Sequence, residues 1–193
     1  VRVCIVGSGP SAEGFNPPDG AFVIAVNGAI EWLPRADAWF TLDPSPKNLG
    51  RMRNQRQGVK YYAAMAQPPS NVIGLKRIAR QGKEPAEEHS PEWWLWRWSA
   101  ITGLCKQAGK IHTGNSAWGA LQLACQMGAR KVALVGIDAN SKQRIEGGNP
   151  NSLRHLPLLF NSAVGEIKMV NCGDMKSRIP KMTIEDGMQW VLK

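Results

Sequence analysis

The chain has 193 residues, 43% of them apolar and 20% charged, which suffices for one well-cored domain and excludes a disordered chain. No apolar run approaches the roughly 18 residues of a membrane-crossing helix, so a soluble, cytoplasmic protein is expected. With 24 Lys and Arg against 15 Asp and Glu the net charge is +9, which favours an anionic partner: a nucleotide, a nucleic acid or a phosphate-rich surface.

Three short runs rich in Val, Ile, Phe or Trp, at Val1–Val6, Phe22–Val26 and Ala38–Leu42, each end in Gly, Asn or Asp and read as buried strands. The proline-rich segment joining the first two predicts a loop or abbreviated helix. Lys47–Gly58 is basic around Leu49 and Met52 and fits a short surface helix. Val59–Ala64 predicts a fourth strand, and Val72–Ala79 a fifth or an edge segment. After a charged loop at Arg80–Ser90, Ser90 and Pro91 start a short helix carrying Trp93, Trp94, Trp96 and Trp98. Core or interface is the simpler reading of these tryptophans, and a stacking platform the alternative.

Lys110–Asn140 reads as strand, helix and strand. A strand ends at His112–Thr113, Ala117–Met127 is helical, Gly128 stops the helix, and Lys131–Ile137 is an apolar strand with Asp138 beyond it. A polar loop at Asn140–Leu153, a helix at Pro157–Val164, a last strand at Ile167–Val170 and a helix capped by Thr183 complete the chain. Cys4, Cys105, Cys125 and Cys172 lack metal or disulfide spacing and are expected to be reduced. The pattern predicts one α/β domain with a mostly parallel sheet flanked by helices, and a Trp-rich insertion or lid at about 80–109.

In such a sheet the ligand sits beyond the carboxyl ends of the strands. Gly7-Ser8-Gly9-Pro10-Ser11 follows the first strand and suits a phosphate cradle, since glycines let backbone N–H groups approach an anion. An NAD site would need an acidic residue about 20 positions after Gly7, where Asn27 stands instead. Asn27 is retained as a ribose or base contact. Thr113-Gly114-Asn115-Ser116 precedes a helix and offers amides and hydroxyls to the same ligand, with Asn115 or Ser116 also serving as helix cap. Asp43 and Asp138 follow strands, either as turn formers or as holders of magnesium or a sugar hydroxyl. His155, in the polar loop, is the candidate base at neutral pH.

GSGPS after the first strand, VN after the second, ADAWFTLDPS around the third, and TGNSAWGALQLACQMGARKVALVGID together resemble the bacterial sialyltransferases of glycosyltransferase family 42. They resemble equally the MptE-like pyrophosphokinases and motility accessory factors, and the compact, basic, tryptophan-rich character of the chain also resembles uncharacterised bacteriophage proteins with this module. The resemblance implies a Rossmann-like fold and CMP-sugar contacts from Ser8, Gly9, Asn27, Thr113, Gly114 and Ser116, with His155 as general base. Asp43-Pro44-Ser45 stands where the sialyltransferases have Asn-Pro-Ser, and their tyrosine pair has no counterpart. Lys142, Arg144 or Arg154 is expected to supply the positive charge instead.

The first expectation is therefore a nucleotide-sugar-dependent transferase that needs no cofactor, in which His155→Ala abolishes turnover and spares nucleotide affinity. The second is a magnesium-dependent pyrophosphokinase using Asp43 and Asp138 as metal ligands. The third is a non-catalytic nucleotide or nucleic-acid-binding module, motivated by the net charge and by the basic stretch Lys47–Lys60, for which a solvated surface is the simpler account. The acceptor is open, and self-association through exposed tryptophans is a further expectation.

Overall fold

The computed structural model describes residues 1–193. In chain order the strands are β1 (Arg2–Val6), β2 (Phe22–Val26), β3 (Ala38–Thr41), β4 (Lys60–Ala63), β5 (Ile73–Gly74), β6 (Lys76–Ile78), β7 (Lys110–His112), β8 (Lys131–Val135) and β9 (Lys168–Asn171). Seven form one sheet, ordered β5-β4-β3-β2-β1-β8-β9, and all of its pairings are parallel. The chain builds outward from β1 to β5, then returns to the other side of β1. Strand order thus reverses between β1 and β8, as in a Rossmann-like sheet.

The central strands are apolar on both faces because helices cover both. Val3, Ile5, Ile24, Phe40, Val132 and Leu134 pack toward α4 (Ser116–Gln126) and α5 (Leu156–Ser162). Cys4, Val6, Val23, Ala25, Trp39, Ala133 and Val135 face α1 (Ala29–Trp32), α2 (Pro46–Arg53) and α6 (Ile184–Leu192). The β1–β2 connection is a single 3-10 turn at Pro10–Ala12, the abbreviation its prolines predict. Gly128, at φ +80°, follows the end of α4, and Thr183 caps α6 by accepting from the Asp186 amide at 3.1 Å.

Two expectations need correction. Val72–Ala79 is not one strand: β5 joins the main sheet, while β6 pairs with β7 in a separate two-stranded parallel sheet. β7 therefore does not lie beside β8, and the strand-helix-strand unit connects two sheets. The apolar surface of α4 is also not confined to one face. Ser116 through Ala124 are all buried, because the helix lies between the main sheet and the 80–109 segment.

That segment is fastened to the body. The Ile101 amide donates to Thr113 O at 3.1 Å, Trp118 Nε1 to Ile101 O at 3.2 Å, and the Gly103 amide to Ser162 Oγ at 2.8 Å. Within it α3 (Pro91–Arg97) carries the tryptophan cluster. Trp93 is buried and donates to Glu84 at 2.7 Å, Trp94 lies between His89 and the Arg154 guanidinium, and Trp98 stacks on His155. These contacts favour packing over an open stacking surface. All four cysteines are free, and burial raises the thiols of Cys4 to about 12 and of Cys125 and Cys172 to about 11. No helix is long and apolar enough to cross a membrane.

Candidate functional site

At the β1/β8 reversal the loops leaving the two strands run in backbone contact. The Gly7 amide donates to Val135 O and the Gly9 amide to Gly136 O, each at 2.9 Å. A Cβ on Gly7 would stand 2.7 Å from the Gly136 oxygen, and one on Gly136, at φ +65°, would stand 2.7 Å from the Ala12 Cβ. The glycines are thus required by the approach of two backbones. This corrects the expected cradle: the Gly7 and Gly9 amides serve the loop pair, and Ser8 has the one amide of the turn with no protein acceptor.

Beside this junction lies a cavity of about 90 Å³, lined by Gly7–Gly9, Asn27, Asn115 and Asp138, and by Lys142, Arg144 and Glu146 from the polar loop. The glycine turn and the turn before α4 therefore open on one space, as a shared ligand requires. The polar loop forms one wall of it, with the Ile145 amide donating to Ser8 O at 3.0 Å. Small-molecule pockets typically measure roughly 300–1,000 Å³, so this cavity is small beside them. A larger open concavity of about 1190 Å³ lies at the amino ends of β8 and β9, around Lys131, Lys168 and Trp190. It sits at the edge opposite the strand carboxyl ends, where parallel sheets do not place their ligands.

Asn27 adopts φ +50°, a conformation that Asn tolerates better than most residues. Its Oδ1 accepts from the Thr41 hydroxyl at 2.6 Å and from Asn48 Nδ2 at 3.3 Å. Thr41 and Asn48, both buried, form a polar support that sequence reading missed. Arg51 extends it by donating to Asn48 Oδ1 at 2.5 Å and pairing with Glu31 at 2.8 Å. Arg56 donates to the carbonyls of Ile30, Leu33 and Pro34 around the end of α1. Two cations of the basic Lys47–Lys60 stretch thus serve the fold, which weakens its reading as a nucleic-acid face.

The two aspartates act locally. Asp43 is exposed, its Oδ1 accepting from the Ser45 amide at 3.0 Å and its Oδ2 from Asn48 Nδ2 at 3.2 Å, as a turn former before α2. Asp138 is buried and accepts from the Ser11 amide at 3.0 Å, the Ser11 hydroxyl and the Asp174 amide at 2.9 Å. No three His, Cys, Asp or Glu side chains group in a way that could hold a metal. Asp138 is engaged by three donors and Asp43 lies outside the cavity lining, so the residues do not fit the magnesium site expected of them.

The Thr113–Ser116 turn is also largely internal. Thr113 donates its amide to Ile78 O at 2.9 Å and its hydroxyl to Ser99 O, and Ser116 Oγ accepts from the Leu42 amide at 2.9 Å. Gly114 packs against Leu159 and Ala100. Asn115 alone of the four reaches the cavity, and it also caps α4 by accepting from the Ala117 amide at 2.7 Å. Pro10 and Ser11 lie outside the lining as well.

His155 departs furthest from expectation. It is 2% exposed, lies flat against Trp98 with ring centroids 5.5 Å apart, and donates from Nε2 to Gly114 O at 2.7 Å. Its Nδ1 is buried without a partner. Burial holds its pKa below the ordinary histidine value, against the opposing effect of the Gly114 hydrogen bond. Both nitrogens are sealed from solvent, so the imidazole is a pin between the polar loop and the turn before α4.

The sheet order defines a Rossmann-like α/β protein with a cavity where the order reverses between β1 and β8. No family model, curated protein or solved structure matches the chain at a significant level.

Proposed function

We propose that the chain binds a nucleotide at the β1/β8 reversal and, by its resemblance to glycosyltransferase family 42, that it transfers a glycosyl group from a nucleotide sugar. One observation carries the nucleotide half: Ser8, Asn27, Asn115, Lys142 and Arg144 line a single cavity at the switch point of a parallel sheet. Lys142 and Arg144 supply the positive charge for a phosphate, next to the amide of Ser8 and the amino end of α4. Binding without catalysis is the second reading, favoured by the sealed imidazole of His155.

Thermal unfolding in the presence of CMP, UDP and GDP sugars and ATP, with and without magnesium or a chelator, tests the proposal. A ligand at 100 times its Kd stabilises by about 2.7 kcal/mol, so a clear upward shift is expected with one nucleotide class and no dependence on magnesium. Absence of a shift with every nucleotide overturns the proposal. Release of free nucleotide from the stabilising sugar donor separates transfer from binding alone.

A further inference from the structure

Glu146 has a role that neither the glycine turn nor the basic side chains explain. It comes from the loop after β8, yet its carboxylate lies over Gly28, the residue that follows Asn27 at the end of β2, and it lines the cavity. Gly28 provides the seat, since a Cβ there would collide with the Glu146 carboxyl group and stand 2.8 Å from its Cγ. The carboxylate makes no ion pair, and its Oε2 is buried with no hydrogen-bond partner. A buried carboxylate oxygen without a donor is costly, so whatever enters beside it must bring O–H or N–H groups. An anion placed against that carboxylate would be repelled.

The end of β2 is where dinucleotide-binding sheets place the acid that accepts from a ribose hydroxyl. Asn27 leaves that place neutral, and its Oδ1 is already occupied by Thr41 and Asn48. We infer that Glu146, delivered from the opposite side of the switch point, is the ribose-binding carboxylate of this site and selects ribonucleotides over 2′-deoxyribonucleotides. The inference rests on the nucleotide-binding reading and adds to it the sugar that the site recognises.

The test measures the affinities of CMP, UMP, GMP and AMP and of their 2′-deoxy counterparts, for the parent chain and for Glu146→Gln and Glu146→Ala. A hydrogen bond to a carboxylate is worth roughly 10- to 100-fold in affinity, so the parent should prefer the bound ribonucleotide by at least about tenfold. Glu146→Ala should bring that ratio close to one by weakening the ribonucleotide and sparing the deoxynucleotide. Glu146→Gln, which keeps the shape, should fold as well as the parent and lose most of the preference. An unchanged ratio in both variants, a parent that binds the two sugars equally, or tighter binding of both sugars by Glu146→Ala would each overturn this assignment and leave nucleotide binding standing. No binding of any of the eight by the parent removes both.

Discussion

Replacing His155 by alanine is expected to destabilise the fold by about 2–4 kcal/mol, through loss of a buried ring, its Trp98 contact and its 2.7 Å hydrogen bond to Gly114. Urea unfolding monitored by tryptophan fluorescence measures it. A catalytic base would give a different result, with turnover lost and stability kept. The same residue sets a pH response. Burial lowers its folded pKa, so below about pH 6.5 the unfolded chain takes up a proton that the folded chain resists. Bound protons are then more numerous in the unfolded state, and stability falls as pH drops through 6.5 toward the lower folded value. Stability of the parent at pH 5.5 should lie below that at pH 7.5, and His155→Gln should flatten the difference. A parent indifferent to pH across this window would contradict the pinned, neutral imidazole.

Asp138→Ala should have a comparable effect, a loss of about 3 kcal/mol, because one carboxylate gathers donors from two other loops and so ties three together. The Ser11 amide and hydroxyl follow β1, Asp174 follows β9, and Asp138 itself follows β8. A Cβ on Gly173 would stand 2.8 Å from Asp138 Oδ1, so the backbone is drawn in closely around the group. Asp138→Asn should recover little, since an amide offers one accepting oxygen where two are used and turns a donor toward the others. Calorimetric unfolding of the two variants gives the comparison. Retention of full stability by either would mean that the three loops are held by something other than this carboxylate.

The sheet was legible because its strands are short, apolar and ended by Gly, Asn or Asp, and Phe22–Val26 falls where its pattern places it. Strand partners were not. Lys110–His112 has a strand's composition, but its pairing with β6 depends on residues more than thirty positions away. At the site, Asn27 was readable from its place after β2. The engagement of Thr113 by Ser99 and of Ser116 by Leu42 was not, since both partners come from other elements. The two glycines after Glu146, with φ of +90° and +80°, mark a turn in the sequence, yet nothing local shows that the turn folds over Gly28. His155 had the chemistry of a base in the sequence and lost it to burial, which depends on where Trp98 comes to rest.

The borders of the large sheet bear on behaviour in concentrated solution. At one border β5 has only two residues and is preceded by Pro68 and Pro69, leaving little ladder for a foreign strand to extend. At the other, Asn171 of β9 exchanges hydrogen bonds with Pro180 and Met182 of its own chain, at 2.9 and 3.0 Å. Neither margin of this sheet presents a long row of unsatisfied amides, so it offers little edge for a foreign strand to stack on.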